Sequence, residues 1–597
     1  MLFTHVFVLF VLHLGGCLAA QIPLSTNPAS KVLISPRVDR FTKSLLAKWN
    51  SSGLAVAVVR KDTSAPGGWR QEFRSYGKAR HDGTPVTPDT LFAIASNSKL
   101  FLSLSVGLLI SNESLAVERG EKLGWTTKAK SVLPGWKLMD EVMDRGAGFQ
   151  DMLSHRTGMP RHDFAGVNLD GGVAEMISNL RHLRPSAEFR ETFQYNNMMY
   201  EALSHLPRVF LNQSYESYIS QHLFSRLDMS DSTFSVAEAE ARGQLAHGFQ
   251  WTMRDMYTGA NGRLIATVPY FQRPGEEKVW AGAGGVLTST RDMAKWMKML
   301  LNDGRHPETN ATIVPEHILT HVASGLTVSE GKASYPELSP KVYGCGQWRY
   351  TYQGREIIEH GGNNPGFKSQ VARFPNDDLG IIVFSNDANG GIILEAVKWR
   401  IAEEILGLRR IDWNARYTKE YNDYWDEKRK VTAPPNPPIP PSAAFRDLEG
   451  RSFSHPAYGT ITPCLATPPT SVACTAVISH PTAQKILGAS EPNVTTYIVP
   501  WKRTFTTHLR LTHFSGNLFN VTVVWSDGDV RRKEGYKESE DMLIGLDERF
   551  EVEWVGADGE GEEGLAFKGG IWGKEGPDAR DPEGNGKDSA EIWFARN

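Results

Sequence analysis

The sequence predicts two folded units: an α/β sandwich over residues 21–430 and an all-β domain over 443–597, joined by a stiff linker at 431–442. Three observations carry this. Strand-like apolar runs stand at both ends of the first unit around a helix-rich middle, the pattern of one sheet closed by its terminal segments. Ala433 to Ser442 (APPNPPIPPS) holds six prolines in ten residues, which enforces an extended spacer. Beyond it the period changes to short alternating stretches separated by Gly, Asn and Asp, the spacing of a β barrel or sandwich.

In chain order, Leu2 to Ala20 (LFTHVFVLFVLHLGGCLAA) is the one apolar run approaching membrane-spanning length. It ends in small residues and resembles a secretory signal peptide over residues 1–20, cleaved after Ala19 or Ala20. No Lys or Arg precedes it, the first being Lys31. An uncleaved anchor, or lipidation of Cys17 in Leu14-Gly15-Gly16-Cys17, is the alternative. Leu54 to Arg60 (LAVAVVR) reads as a buried strand, paired with Gln71 to Tyr76 across the turn at Pro66-Gly67-Gly68. Lys99 to Ile110, Met198 to Leu211 and Thr290 to Leu301 carry helical apolar spacing, and Glu356 to Ile358 and Leu379 to Phe384 return to strand character. WNARYTKEYNDYWDEKRK reads as a charged helix closing the first unit. In the second unit Thr495 to Val499, His508 to Thr512, Leu518 to Trp525 and Ala590 to Phe594 read as strands. Gly556 to Gly564 and Gly573 to Asp588 read as long surface loops.

With 40% apolar and 22% charged residues, and 65 basic against 68 acidic side chains for a net charge of −3, the chain has a globular composition and no electrostatic footprint for nucleic acid. Beyond the leader no apolar run is long enough for stable membrane insertion. The expectation is a secreted protein. Six Asn-x-Ser/Thr sequons, at Asn50, Asn112, Asn212, Asn310, Asn493 and Asn520, are candidate glycosylation sites. Cys464 and Cys474 bracket a nine-residue segment and are the disulfide candidate. Cys345, in Tyr-Gly-Cys-Gly, is then left as a small buried residue. The cysteines give no zinc pattern, and neither a strand-linked Gly-x-Gly-x-x-Gly nor a Walker loop is present. No metal and no cofactor are expected, and nothing in the composition sets an oligomeric state.

Ser-x-x-Lys occurs three times, as Ser75–Lys78, Ser96–Lys99 and Ser329–Lys332. Ser75 lies in a strand and Ser329 in a Gly- and Ser-rich loop. Ser96 instead opens a strongly apolar helix, where Ser96 and Lys99 share a face. The helix N-terminus there favours developing negative charge, and the Ser96 N–H can meet an oxyanion. On this stretch alone, a capping serine beside a solvated lysine is the commoner arrangement. Two more motifs shift the balance. Tyr195-Asn196-Asn197 is the one Tyr-x-Asn in the chain, and His360-Gly361-Gly362 follows a strand, whereas His81-Asp82-Gly83 precedes a turn.

The order Ser-x-x-Lys, Tyr-x-Asn, His-x-Gly resembles that of the penicillin-recognising serine hydrolases. The chain is similar to the serine beta-lactamase-related family, which includes class C beta-lactamases, D-alanyl-D-alanine carboxypeptidases, D-aminopeptidases and family VIII-type esterases. GTPVTPDTLFAIASNSK (Gly83 to Lys99), FQDMLSHRTGMPRHD (Phe149 to Asp163), FQYNNMMYEAL (Phe193 to Leu203), LFSRLDMSDSTFS (Leu223 to Ser235), AGAGGVLTSTRDMAKWM (Ala281 to Met297) and HGGNNPGF (His360 to Phe367) carry the likeness. The departures are Asn97-Ser98 in the variable pair, Asn196 where the family often has Ser, and His360-Gly361-Gly362 in place of Lys-Thr-Gly. That last change argues against efficient beta-lactam hydrolysis. The segment after the linker resembles the lipocalin-like barrels that follow the hydrolase in several relatives.

The resemblance implies the family's antiparallel sheet flanked by helices, with a helical subdomain, and a set of roles. Ser96 is the nucleophile, Lys99 and Tyr195 move its proton, and Asn197 holds Lys99 and the substrate. His360, on an edge strand lining the site, supports Tyr195 or reads a substrate acyl group. The oxyanion meets backbone N–H groups of Ser96 and of Asn363, beyond Gly362. Ser154-His155 is not a catalytic pair, because adjacent side chains point apart on most backbones. The expected reaction is cleavage of a small-molecule ester or amide through a Ser96 acyl-enzyme. Acyl transfer to another acceptor, a D-aminopeptidase- or carboxypeptidase-like activity, and a non-catalytic binding module are the alternatives, in falling order.

Overall fold

The computed structural model describes residues 32–166, 171–251, 264–267, 280–430, 433–466, 471–488, 494–526, 543–559 and 561–597. The leader at 1–20 with Cys17, the sequon at Asn493 and the first two residues of the linker lie outside the described residues.

The first unit is built on an eight-stranded antiparallel sheet. Its order is Trp69–Gly77, Gly53–Lys61, Leu379–Ser385, Phe367–Phe374, Arg355–Asn364, Trp348–Tyr352, Lys341–Tyr343, Thr327–Glu330. The N-terminal hairpin is added beside the last strand of the unit, Leu54 opposite Ser385 and Arg60 opposite Leu379. Both faces are covered, which is why LAVAVV is an unbroken apolar run. Leu54, Val56 and Val58 pack beneath helices Pro36–Lys48 and Gly390–Leu406, and Ala55, Ala57 and Val59 face the large core of the helical side. The Thr290–Leu301 helix lies on that second face, N-capped by Ser289, whose hydroxyl accepts from Asp292 N–H at 3.1 Å.

Two local readings change. Met198 to Leu211 is two helices, Asn197–Ser204 and Leu206–Leu211, because Pro207 lacks the N–H that would continue one into the other. Ser329 lies in the strand Thr327–Glu330 rather than a loop, held by ladder pairing with Lys341–Tyr343.

After the helix Trp413–Arg429 the proline-rich segment is exposed and carries a bend at Asn436 and Pro437. Near its end Ile439 and Ser442 bond the hairpin at Ser515–Asn517. The second unit is a nine-stranded antiparallel sheet curled into a half-barrel, from Gly459–Ile461 at one end to Cys464–Leu465 at the other. Its concave core is aromatic, with Tyr458, Trp501, Phe550, Phe567 and Phe594 buried. Cys464 and Cys474 are joined, and Cys345 is a free, fully buried thiol. Of the described sequon asparagines Asn50, Asn212, Asn310 and Asn520 are exposed. Asn112 is half-buried, its side chain capping the helix Glu113–Arg119.

One buried ion-pair cluster ties the sheet to its back layer. Glu359 accepts from Lys398 Nζ at 2.7 Å, from Gln370 Nε2 at 2.6 Å and from the Tyr350 hydroxyl, and Lys398 also pairs with Glu395 at 2.7 Å. Burial works against the Lys398 charge, but the two carboxylates raise its pKa overall. Lys398→Met strands the carboxylates without a cation. It is expected to cost about 3–5 kcal/mol of stability, read from chemical denaturation midpoints at constant m-value.

Candidate active site

Ser96 sits in a single 3-10 turn, Ala95–Asn97, leading into the helix Ser98–Ile110. That helix is buried along nearly its whole length, so its start is fixed by the core and not by solvent. Ala95 has a φ of +49°, left-handed for a residue carrying a Cβ. Such backbone costs about 1–3 kcal/mol and persists because its surroundings hold it. The Ser369 hydroxyl donates to Ile94 O at 2.7 Å and accepts from Asn97 Nδ2 at 2.8 Å. Gly362 pairs with Ser369 across the ladder, and a Cβ on it would stand 2.2 Å from both Ile94 O and Ser369 Oγ. Only glycine lets the His360 strand approach the Ser96 turn this closely. Asn363 follows it, with an exposed carboxamide that accepts from Lys368 Nζ.

Lys99, one turn on from Ser96, is completely buried. Its Nζ lies 2.7 Å from Asn197 Oδ1, 2.9 Å from Ala283 O and 3.2 Å from Ser96 Oγ. Burial, helped by the Arg161 charge, depresses its pKa well below that of an ordinary amine, with Asp163 and Glu201 opposing. Asn197 Nδ2 donates to Asp163 Oδ1 at 2.9 Å, which fixes the amide orientation and points its oxygen at Lys99.

Tyr195 precedes the helix Asn197–Ser204, whose cap is Asn196: its side chain accepts from Met199 N–H at 2.9 Å. The Tyr195 ring lies 4.8 Å from Lys99 Nζ and packs on His155 with centroids 4.2 Å apart. Burial raises its phenol pKa, against a hydrogen bond with Ser96 and the Arg161 charge. His155 accepts the Asn196 N–H at Nδ1, 3.0 Å, and is held neutral by burial. It is a wall of the site, while Ser154 is fully buried.

His360 Nε2 lies 2.9 Å from the Tyr343 hydroxyl, and its ring stands 6.3 Å from that of Tyr195. Burial, then the Lys99 charge, pushes its pKa down to about 3, so it is a neutral imidazole. Its strand is interior to the sheet and not an edge strand. Pairing with Trp348–Tyr352 stops at Glu359, however, so the segment from His360 onward runs free on that side. The expected group of Ser96, Lys99, Tyr195, Asn197, His360 and Gly362 is thus assembled from three separate segments of the first unit.

A family model described as Beta-lactamase matches residues 38–403. The chain belongs to the beta-lactamase family. The unguisins hydrolase ungD' of Aspergillus campestris is 28% identical over 437 residues, covering 70% of this chain and 76% of that one. Protein flp of Staphylococcus aureus strain MW2 is 22% identical over 401 residues, 65% of this chain and 70% of its own. The octameric penicillin-binding protein homologue from Pyrococcus abyssi shares the fold. That match has a TM-score of 0.51 at 17% identity and covers 89% of this chain and 98% of the other.

Within this beta-lactamase-family unit three charged groups escaped the sequence reading. Glu201 is on the same helix face as Asn197, one turn on, a spacing that could have revealed it. It accepts N–H bonds from Ala283 at 2.7 Å and Gly282 at 3.3 Å, and burial raises it to about 7. Asp163 and Arg161 stand in a stretch quoted for the family likeness, but nothing in their spacing marks them as neighbours of Tyr195. The Arg161 guanidinium lies over that ring, 4.9 Å from its centroid.

Gly362→Ala forces its strand away from Ile94 and Ser369. Labelling of Ser96 by a fluorophosphonate is expected to slow roughly 100-fold or more. An unchanged labelling rate in the folded variant would contradict the close approach.

Proposed function

We propose that the protein is a serine hydrolase that cleaves a small-molecule ester or amide through an acyl-enzyme on Ser96. The observation that carries this is the donor count at Lys99. A neutral amine has two N–H donors and one lone pair. Asn197 Oδ1 and Ala283 O are acceptors only, so they take both donors and leave the lone pair for the third neighbour, the Ser96 hydroxyl. The buried, pKa-depressed amine is therefore a base already aimed at the nucleophile.

As Ser96 Oγ bonds to the substrate carbonyl carbon, its proton passes to Lys99 Nζ. The carbonyl electrons move onto the oxygen, which meets the N–H groups of Ser96 and Asn363. Tyr195, still a phenol because burial raises its pKa, gives its proton to the leaving oxygen or nitrogen as that bond breaks. It recovers the proton from the Lys99 ammonium. Water reverses these steps on the acyl-enzyme. His360 is neutral, with one ring nitrogen facing Gly361 O and the other the Tyr343 hydroxyl, so it orients the wall beside Tyr195 and relays no proton. The hydrolase names of the fungal relatives support water over another acyl acceptor. The leader's composition and the Cys464–Cys474 bridge support a secretory location.

Hydrolysis of a short-chain p-nitrophenyl ester is expected to fall at least about 1,000-fold in Ser96→Ala. Equal rates in the two proteins would overturn the assignment, and ester products formed with added alcohols would mark acyl transfer. In the wild type kcat/KM should hold level to lower pH than an ordinary amine base would allow, because burial depresses the Lys99 pKa. It should fall on the acid side as Lys99 takes up a proton, and on the alkaline side once Tyr195 ionises.

A further inference from the structure

The segment Gly573 to Asp588, read from sequence as a surface loop, leaves the β domain and packs against the catalytic unit. Arg161 N–H donates to Gly573 O at 3.2 Å, His162 N–H to Trp572 O at 2.8 Å, and Arg580 N–H to Ser186 O at 2.7 Å. Gly573 and Gly576 have φ of +68° and +90°. A Cβ on the first would stand 2.9 Å from Arg161 Cβ, and one on the second 2.6 Å from Thr192 Oγ1. The loop is thus shaped to lie flat on the segments that carry Arg161 and Tyr195.

Between these glycines stands Glu575. Its N–H donates to Gln194 Oε1 at 2.9 Å, the residue just before Tyr195, and its carboxylate lies 3.2 Å from Arg161 Nη1. Arg161 Nε pairs with Asp163 at 2.9 Å, and Asp163 holds Asn197, the acceptor for Lys99. The guanidinium over the Tyr195 ring is therefore gripped by one carboxylate from each domain. We propose that Glu575 is a positioning residue that fixes Arg161 over Tyr195, so that the C-terminal β domain completes the active site of the catalytic unit. This rests on the serine hydrolase reading above.

Glu575 acts in two ways. Geometrically, it removes the freedom of Arg161 to swing off the ring. Electrostatically, its negative charge offsets the Arg161 charge felt by Lys99 and Tyr195. Those two groups are also faced by Asp163 and Glu201, by the neutral rings of His155 and His360, and by Tyr200. Removing one negative charge from this set disfavours the Lys99 ammonium and favours the Tyr195 phenolate, so both pKa values move down.

Glu575→Gln in the full chain should lower kcat for the p-nitrophenyl ester about tenfold, change KM less than about twofold, and shift both limbs of kcat/KM to lower pH. Its melting temperature should stay within about 2 °C of wild type. Arg580→Ala cuts the loop's outer pairs with Glu191 and Glu188 and leaves Arg161 untouched. It should keep the wild-type kcat and pH limits. Wild-type kcat and unshifted limbs in Glu575→Gln would overturn the proposal. So would the same loss in both variants, or a loss accompanied by a drop in melting temperature with unshifted limbs, since either makes the loop a fastener only. Failure of the underlying reading is separate: Ser96→Ala would then be as active as wild type, and the proposal would fall with it.

Discussion

The proposed active site depends on the complete desolvation of one amine. Lys99 has no exposed surface and is surrounded by neutral acceptors, aromatic rings and the Ser96 hydroxyl. An ammonium in such a place is costly unless a carboxylate pairs with it directly. Asp163 and Glu201 both act on Lys99, but each is interposed by a neutral group. Asp163 reaches it through the Asn197 amide, and Glu201 through residue Ala283, whose N–H it accepts and whose carbonyl, in the next peptide, Lys99 bonds. The carboxylates hold the scaffold around the amine without converting it into half of an ion pair.

The contrast with Lys398 makes the point within one molecule. Both lysines are fully buried. Lys398 touches Glu359 and Glu395 directly at 2.7 Å, and its pKa is raised, whereas that of Lys99 is strongly lowered. Glu359 and His360 are consecutive on one strand, so the pleat turns them to opposite faces of the sheet. The ion-pair cluster behind the sheet and the neutral histidine in front are therefore two faces of the same strand. Glu359 fixes the strand from the rear, and Gly362 allows its far end to close on the Ser96 turn.

Much of the catalytic unit was legible in sequence because its signals are local. The i, i+3 spacing of Ser96 and Lys99, the buried run at Leu54 and the terminal strands that pair across more than 300 residues each leave a pattern in composition or period. What was not legible is conveyed by close approach. Nothing in the spacing of Ser329–Lys332 distinguishes a short edge strand from a loop, since ladder pairing with Lys341–Tyr343 decides it. Pro207 divides a continuous apolar period into two helices. Arg161, Asp163 and Glu575 are ordinary surface-type residues until the backbone brings them to Tyr195.

The two domains share one hydrophobic seam, which explains how a loop more than 400 residues from Arg161 in sequence can be held there. Phe164 packs on Trp501 and Phe550, Phe505 meets Trp280 edge-on, and His162 bridges Tyr458 at 2.7 Å and Arg184 O at 2.8 Å. Burial keeps His162 neutral, with its pKa pushed down to about 4, so its two ring nitrogens are satisfied by one donor and one acceptor. The same short segment, residues 161 to 164, thus supplies Arg161 and Asp163 to the site and His162 and Phe164 to the seam. Neighbouring residues on one backbone serve both, with one peptide unit between Arg161 and His162 and three between Arg161 and Phe164. The half-barrel is in this way packed against the stretch of backbone that carries Arg161 and Asp163.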